Sequence, residues 1–493
     1  MKLFTNAKFY SIRKENESFL HVLVDDFGKI VETYQQKPRN QKYEEIDLER
    51  SFVYPGFTDT HTHSFEGGLY SLSANLEGVE KLAEIFEILA ETKPVSGKIF
   101  AYHFEENEIK EKRFPTAEEL DRIFPETPVI LRRVDGHSCV INSVAARQIP
   151  WKQVLPQNFN GHLSGRWNGM AANWFHRDLS DEAIIKIYKQ AAKIALKGGH
   201  TAVHTMIGDA YSDPKHYELI RNHLDEFSVE FILYPQITDV KKAIDLGAKR
   251  IGGCALADGS LGSYTAALSE PYEDRKSTKG ILYRTNETWE KIIRAAHENN
   301  LQMAVHCIGD AAIEQILTIY EKLQKEDPKD LQHEIIHCEL TSDEMLDRIA
   351  AAKCSAVMQP MFDRLWAGTG GLYETRLGKE RTSRTNRLAS TYRRGILLTG
   401  GSDWYITDIN AMKGIDAATR IHNKNERLTL FQAIEIYTRN AAKLSFDEDR
   451  FGTIEIGKEA NFTCLKEDVF TSQNIAEIEV KNIFRKGKEI YRK

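Results

Sequence analysis

Residues 53–63 read VYPGFTDTHTH, an apolar β-type run that ends in His61 and His63. Residues i and i+2 of a strand project from the same face, so both imidazoles can reach one metal ion. On its own, an H-x-H pair fits two partly exposed histidines as well as it fits a metal site. The stretch therefore predicts a strand, and the later strands decide between these two interpretations.

Three later apolar runs also end in residue types that bind metals. His306 ends LQMAVH, His337 ends HEIIH, and Asp403 ends GILLTGGSD. The carboxyl ends of the strands are the face on which (β/α)8 barrels build their sites. Four imidazoles and one carboxylate at this structural position suit a borderline-soft divalent ion such as Zn²⁺. The pattern predicts a metal centre.

Between Pro55 and about Leu444, apolar β-type runs alternate with amphipathic helical stretches, which is typical of βα units around a parallel sheet. Ten runs qualify as strands, and an eight-stranded barrel has room for eight, so we expect two of them in an insertion or an accessory sheet. The ten are VYPGFTDTH (53–61), GKIFAYHF (97–104), PVILRRV (128–134), HTAVHTM (200–206), VEFILYP (229–235), RIGGCALAD (250–258), LQMAVHCIG (301–309), HEIIHCEL (333–340), CSAVMQP (354–360) and GILLTGGSD (395–403).

The two ends of the chain differ from the middle. HVLVDDFGKIVETY (21–34) near the start, and FGTIEIGKEANFTCL (451–465) and IEVKNIFRKGKEIYRK (478–493) at the end, are strand-like and contain short turns. We expect them to pair in one β-subdomain. The predicted boundaries are residues 1–55, 56–444 and 445–493, with the middle segment as an α/β barrel.

Composition narrows the class of protein. The 493 residues carry a net charge of −6, with 41% hydrophobic and 28% charged residues, which is ordinary for a globular chain. No Lys/Arg stripe points to nucleic acid, and no apolar run is long enough for a membrane span. With no signal-peptide pattern and six scattered cysteines, we expect a cytoplasmic protein with reduced thiols and a small-molecule partner.

In this order, PGFTDTHTH, VHCIGDAA, IHCEL and GSD resemble the motifs of the amidohydrolase superfamily of metal-dependent hydrolases. DGHSCVINS (135–143), DGSLGSYTAALSEPY (258–272) and GTIEIGKEANF (452–462) are similar to its amidohydrolase-3 branch. The resemblance implies a distorted (β/α)8 TIM barrel with a small composite β-sandwich built from both termini. It also implies that His61, His63, His306 and His337 are metal ligands and that Asp403 is both a ligand and the catalytic proton shuttle.

One position departs from the branch pattern. Many members have a lysine, implied to bridge two metals when carboxylated, four residues before the Asp of the DGS motif; here Cys254 occupies that position. Three interpretations remain open: Cys254 is a thiolate ligand, it is a bystander beside a single ion, or it is a buried structural thiol. The expected cofactor is therefore one or two divalent ions, with zinc as the expected metal.

The remaining polar candidates would serve the substrate. His137 resembles a substrate-side histidine of the branch and could hydrogen-bond a scissile carbonyl as a catalytic group, although Asp-Gly-His also forms ordinary turns. His204, Asp258 and Trp404 are further candidate substrate-binding residues, and each could equally be structural.

The predicted function is metal-dependent hydrolysis of a C–N bond in a small molecule: a non-peptide amide, a cyclic amide, or an N-acyl or N-formyl amine. The alternatives are ester hydrolysis, deamination or isomerisation on the same scaffold, and a non-catalytic barrel. The prior for such enzymes favours a homodimer.

Overall fold

The computed structural model describes residues 1–39, 42–106, 108–133, 138–152, 154–177, 179–208 and 215–493. The chain divides into two compact units. Met1–Ser64 and Ala192–Lys493 form one, called here the discontinuous unit, and Phe65–Ala191 form the other, called the inserted unit. The predicted boundaries after residues 55 and 444 separate the terminal β-segments from the barrel, a division that these two units do not test, and they stay predictions.

The strands of the described residues are bounded as follows: β1 Lys2–Tyr10, β2 Ser18–Phe19, β3 His21–Val24, β4 Ile30–Tyr34, β5 Glu44–Pro55, β6 Phe57–Thr62, β7 Ala74–Asn75, β8 Ile99–Phe104, β9 Val129–Arg133, β10 Ser138–Ile141, β11 His162–Ser164, β12 His200–Ile207, β13 Glu230–Pro235, β14 Arg250–Leu256, β15 Gln302–Cys307, β16 Glu334–His337, β17 Ser355–Met358, β18 Leu397–Gly400, β19 Phe462–Leu465, β20 Val480–Arg485 and β21 Lys488–Arg492.

The helices are bounded as follows: α1 Ser64–Ser71, α2 Leu82–Glu91, α3 Ala117–Ile123, α4 Ser143–Gln148, α5 Gly165–Arg177, α6 Asp181–Lys197, α7 Lys215–Asn222, α8 Val240–Asp245, α9 Asn286–Glu298, α10 Asp310–Glu326, α11 Asp343–Ala351, α12 Pro360–Trp366, α13 Leu372–Thr382, α14 Leu388–Arg393, α15 Ala411–Thr419, α16 Leu430–Glu435 and α17 Arg439–Leu444. Helices follow most of the parallel strands, and the α/β class is confirmed. No helix in the described ranges is long and apolar enough to cross a bilayer.

Eight parallel strands of the discontinuous unit position the candidate site. Three form a sheet in the order β13-β12-β6, and five form a sheet in the order β14-β15-β16-β17-β18. The central strands of these sheets are buried along most of their length, as parallel strands covered on both faces must be. The eight strands correspond to eight of the ten predicted runs.

The other two predicted runs belong to the inserted unit. Residues 97–104 and 128–134 contain β8 and β9, which lie in that unit's own sheet, in the order β11-β10-β9-β8-β7. A core of buried aliphatic side chains, among them Ile85, Leu120 and Leu131, packs within this unit. The accessory sheet expected from the surplus of strand-like runs is therefore present, and its strands are now identified.

Both ends of the chain contribute to a single sheet, called here the terminal sheet, in the order β21-β20-β19-β5-β1-β3-β4, with β2 paired to β1. β19 joins the two ends because it pairs with β5 from Phe462 opposite Pro55 to Leu465 opposite Phe52. The ring of Phe4 contacts those of Phe462 and Phe484, at centroid distances of 5.5 and 5.1 Å. The pairing expected from the sequence of the two ends is thus present in the fold.

Candidate metal centre

The carboxyl ends of four parallel strands bring the predicted ligands into one region. His61 lies near the end of β6, with His63 directly after it, and His337 is the last residue of β16. His306 precedes the last residue of β15, and the pairing of β15 with β16 places Cys307 opposite His337. Asp403 follows β18. Strand geometry therefore produces the clustering that the sequence predicted.

Backbone hydrogen bonds tie the histidine pair to the segment that carries Asp403. The amide of Asp403 donates to the carbonyl of His61 at 2.9 Å, and the amide of His63 donates to the carbonyl of Trp404 at 2.6 Å. The buried carboxylate of Asp59 accepts from the amides of His61 and Ser402 at 3.1 and 3.0 Å. Sequence reasoning did not single out Asp59, although it lies within the quoted DTHTH motif.

The side chains of His61, His63 and Asp403 converge. Asp403 Oδ1 lies 3.3 Å from His61 Nε2 and 3.2 Å from His63 Nε2. In two overlapping groups, possible ligand atoms all lie within 4.8 Å of one another: one is His61, His63 and Cys254, and the other is His61, His337 and Asp403. The geometry unites five of the six predicted ligands in these groups.

A hydrogen bond fixes the orientation of His337. Its Nδ1 lies 2.7 Å from Oε1 of Gln359, whose amide nitrogen donates to the carbonyl of Val357. The Gln359 oxygen must then accept, so the His337 proton is on Nδ1 and its Nε2 is free to bind a metal. Gln359 was missed because a glutamine after a strand carries no recognisable sequence signal.

His306 is oriented in the opposite sense. Its Nε2 lies 3.1 Å from the carbonyl of Gly259 and donates to it, which leaves Nδ1 as the available nitrogen. That Nδ1 lies 3.8 Å from Sγ of Cys254. The imidazole rings of His306 and His337 are in edge-to-face contact at 4.4 Å, so both belong to the same cluster.

A glycine-induced bulge sets the position of Cys254. The β14–β15 register passes from Ile251 opposite Met303 to Ala255 opposite Val305, so β14 has two extra residues there. Gly252 and Gly253 have φ of +91° and +75°, and a Cβ on Gly253 would meet Met206 Sδ at 2.1 Å. Glycine is required at this bend, which re-aims the following side chain.

The backbone at two predicted ligands is strained. His337 has φ of +67° and Asp403 has φ of +54°, in the left-handed region that non-glycine residues seldom adopt. Such residues cost about 1–3 kcal/mol each and persist where the surrounding structure enforces them, most often at functional sites.

The electrostatics favour an ionised thiolate and carboxylate beside the histidines. Burial opposes ionisation of Cys254, but the imidazoles around it, led by His306, lower the pKa of its thiol well below the ordinary value. Burial likewise opposes ionisation of Asp403, whose carboxyl pKa is nevertheless lowered well below its ordinary value by His61 and His63. Asp403 and Cys254 in turn outweigh burial and raise the pKa of His61 to about 9.

The donor set fits a divalent metal ion. Both ring nitrogens of His61 and the Oδ1 of Asp403 are buried and lack a hydrogen bond of good geometry within the described ranges. In a tetrahedral site with bonds of 2.0–2.1 Å, ligand atoms are about 3.3 Å apart, and this matches the separations around Asp403. Buried polar atoms without partners are costly, and an ion between His61 Nε2 and Asp403 Oδ1 would supply the partner that these two atoms lack.

A cavity of about 280 Å³ opens beside this centre. His306, His337 and Asp403 form part of its lining. Apolar side chains make up much of the remainder, namely Leu261, Ile308, Phe362, Trp366, Leu372 and Ile406. The site thus combines charged ligand atoms with an apolar wall, the usual composition of a small-molecule pocket.

The other predicted substrate residues have varied positions. Asp258 is fully buried and accepts hydrogen bonds from the amides of Ala267, Ile308 and Gly309, so its carboxylate shapes the loop beside His306. Trp404 is buried and pairs through its backbone with Thr62. Their contact with substrate stays a prediction, and His137 lies outside the described residues.

His204 lies inside the strand layer and belongs to a buried polar chain. The hydroxyl of Tyr234 donates to Oε1 of Glu334 at 2.8 Å and accepts from Nδ1 of His204 at 3.0 Å. The Nε2 of His204 is therefore unprotonated. Sequence reasoning missed Tyr234 and Glu334, which lie one hundred residues apart along the chain.

Comparison with known proteins identifies the family of the chain. The family model Amidohydro_3, described as the amidohydrolase family, matches residues 44–491. YtcJ of Bacillus subtilis (strain 168), which is named as an amidohydrolase, is 29% identical over 98% of this chain and 98% of its own length. The N-substituted formamide deformylase of Arthrobacter pascens is 23% identical, covering 94% of this chain and 93% of its own.

A crystal structure described as an uncharacterized metal-dependent hydrolase from Pyrococcus furiosus superposes with a TM-score of 0.82. It is 25% identical in sequence, and the match covers 95% of this chain and 100% of that one. The resemblance drawn from the histidine motifs is confirmed over nearly the whole sequence: the chain belongs to the amidohydrolase family, in its amidohydrolase-3 branch.

Proposed function

We propose that this protein is a zinc-dependent hydrolase that cleaves a C–N bond in a small molecule: a non-peptide amide, a cyclic amide, or an N-acyl or N-formyl amine. The observation that carries the proposal is the convergence of His61 and His63 on Asp403 Oδ1, at 3.3 and 3.2 Å, beside an apolar cavity. Nitrogen and oxygen donors with a thiol nearby favour zinc over magnesium or calcium.

His61, His63, His306, His337 and Asp403 would hold the metal, with Cys254 in reach of the same centre. When bound, a divalent ion supplies Lewis acidity, which lowers the pKa of water and polarises a carbonyl. Asp403 accepts the proton of the attacking water and delivers it to the leaving nitrogen. Its two histidine contacts and backbone hydrogen bond to His61 orient the carboxylate for both steps.

The cavity suggests which part of the substrate is recognised. Phe362, Trp366 and Leu372 offer an apolar surface but few polar groups. An aliphatic or aromatic group on the amide would be bound there by loss of water from both surfaces, while the scissile carbonyl lies at the histidines. The deformylase relative acts on N-substituted formamides by its name, which makes N-formyl amines the first substrates to test.

We also propose that the eight parallel strands close into the expected distorted (β/α)8 barrel. The support is contact between the outer strands of the two sheets. Thr60 Oγ1 of β6 donates to the carbonyl of Gly400 in β18 at 3.0 Å, and the side-chain amide of Gln236, just after β13, donates to the carbonyl of Cys254 in β14 at 3.1 Å.

The terminal sheet would form the expected β-sandwich. Phe4 of β1 and Phe484 of β20 are three strands apart in the sheet order, a separation of about 14 Å in a flat sheet. Their rings are nevertheless 5.1 Å apart. The sheet must therefore curl over its own aromatic core, as a sandwich requires.

The test is to measure whether the zinc-loaded protein hydrolyses N-formyl amines, N-acyl amines, N-acyl amino acids or cyclic ureides. An ester and an aminopurine are included as substrates of the alternative reactions, ester hydrolysis and deamination. Turnover of one C–N class that Asp403→Asn abolishes would support the proposal. Turnover of the ester or the deamination substrate alone would favour an alternative reaction on the same scaffold. Tight metal binding with no turnover in any class would support a binding protein.

A further inference from the structure

A second cavity, of about 650 Å³, lies at the opposite ends of the strands from the metal centre. Glu230, Arg250 and Gln302, the first residues of β13, β14 and β15, line it. Cys254 is four residues further along β14 than Arg250, beyond the bulge at Gly252 and Gly253, and no residue of the metal centre lines this cavity. The cavity is therefore separate from the site described above, and its volume is typical of small-molecule sites.

The lining of this cavity carries uncompensated positive charge. Arg221, Lys249 and Arg250 all contribute to it, and no carboxylate in the described part of the chain lies within 4.0 Å of any of the three. Arg450, which also lines the cavity, is different because it pairs with Glu230 and Asp447 at 2.9 and 2.8 Å. Three neighbouring cations without counterions repel one another, so an anion placed among them would be stabilised.

Arg250 is the central residue because it is buried, with 8% of its surface exposed. Its Nε donates to Oε1 of Gln302 and its Nη2 to the carbonyl of Ser445, both at 3.2 Å. The guanidinium also lies 5.2 Å from the ring of Tyr234. All of these partners are neutral. The charge of Arg250 also acts on the buried carboxyl of Glu334, but no carboxylate of the described residues forms an ion pair with the guanidinium, so an anion bound in the cavity would stabilise it.

Neutral donors complete the site. Tyr217 is 5% exposed and lines the cavity, and no described residue hydrogen-bonds its hydroxyl. Burial raises the pKa of this phenol, while the charges of Arg250 and Arg221, which line the same cavity, lower it. A phenol beside two guanidiniums is a donor set suited to phosphate or carboxylate oxygens.

We propose that this cavity binds a small multivalent anion, carrying phosphate or carboxylate groups, through Arg250, Arg221 and Lys249, with Tyr217 as a neutral donor. Guanidinium groups pair with both kinds of oxyanion in bidentate geometry, and the lysine adds a point charge. This binding does not depend on the hydrolytic reaction, because none of these residues belongs to the metal centre.

The test is calorimetric titration of the metal-loaded protein with inorganic phosphate and with citrate, against sodium chloride at the same ionic strength. Saturable binding of either anion, with one site per chain, is expected. Binding of phosphate alone would identify a phosphate ligand, and binding of citrate alone a polycarboxylate. Heats no different from those of chloride for both anions would overturn the proposal.

Variants locate the site. Arg221 and Lys249 are exposed, so the double variant Arg221→Gln/Lys249→Gln should fold. We expect its affinity for the anion to be at least tenfold lower than that of the wild type. Arg250→Gln should abolish binding, with thermal unfolding used to show that it is folded. The control Lys241→Gln/Lys276→Gln removes two exposed charges outside the cavity and should bind as the wild type does. Equal weakening in the control, or undiminished binding in the double variant, would show that the anion binds elsewhere, including at the metal.

Discussion

His337 Nδ1 and Gln359 Oε1 lie 2.7 Å apart, and this hydrogen bond connects a predicted metal ligand to a side chain at the end of the next strand. The bond determines which nitrogen of His337 carries the proton and holds the plane of the ring. A partner in this position fixes the orientation of the ligating ring and raises the basicity of its free nitrogen. Gln359 is therefore a positioning residue of the metal centre.

Replacing this partner should weaken metal binding without removing a ligand. We expect Gln359→Leu to reduce zinc affinity about 10–100-fold, the usual effect of losing such a partner. Competition with a chromophoric chelator measures it. Gln324→Leu, on helix α10, is the control and should leave the affinity unchanged. An unaltered affinity in Gln359→Leu would mean that His337 is oriented by its packing alone.

Asp403 is expected to be more important for turnover than for holding the metal. Asp403→Asn keeps an oxygen donor but cannot accept a proton at neutral pH, so turnover should disappear while most of the zinc remains. Metal analysis and activity measured on the same preparation test this. Asp408 is an exposed acid nearby in the sequence, and the control Asp408→Asn should change neither the zinc content nor the activity. Loss of the metal in Asp403→Asn would make Asp403 chiefly a ligand, and retained turnover would place the proton transfer elsewhere.

Cys254 can be tested through metal stoichiometry. If its thiolate binds the metal, Cys254→Ser and Cys254→Ala should both hold less zinc, and the sulfur contribution to the zinc-edge X-ray absorption spectrum should vanish in Cys254→Ala. The control Cys464→Ala removes a buried thiol from the terminal sheet and should hold as much zinc as the wild type. Unchanged metal content and turnover in both Cys254 variants would make this residue a structural thiol.

The sequence was most informative where chemistry follows strand periodicity. His61, His306 and His337 each come at the end of an apolar run, and such ends meet at one edge of parallel sheets. The surplus strands were harder to place because an apolar run looks the same in either unit. Local pattern could assign β8 and β9 to strands but contained no information about which sheet they join.

Contacts that depend on distant parts of the chain could not be predicted. The partners Tyr234 and Glu334 are brought together by pairing of strands, and no local pattern marks a tyrosine as a hydrogen-bond bridge. The left-handed backbone of His337 and Asp403 was equally invisible, because a positive φ at a non-glycine residue is enforced by the surrounding structure and is not marked by the local sequence. Cys254 stood out only through the family resemblance.

The bridge made by Tyr234 should contribute to stability. Tyr234→Phe leaves Nδ1 of His204 and Oε1 of Glu334 buried without this partner, which costs about 1–3 kcal/mol of unfolding free energy. A lower urea midpoint is the expected result. Tyr283→Phe, at a residue that is 44% exposed, should leave the midpoint unchanged. Equal midpoints for Tyr234→Phe and wild type would mean that water replaces the hydroxyl.

The last prediction concerns the sheet shared by the two ends of the chain. β19 lies between β5 and β20, so deleting residues 454–493 removes β19, β20 and β21 and uncovers both the backbone edge of β5 and the aromatic surface around Phe4. An exposed apolar edge strand is a template for intermolecular pairing, so this truncation should aggregate. Deleting only residues 488–493 removes the outermost strand, leaves β5 covered, and should yield dispersed protein. Light scattering and size-exclusion chromatography distinguish the two, and a monodisperse, active 454–493 deletion would show that β1–β5 are stable without their C-terminal partners.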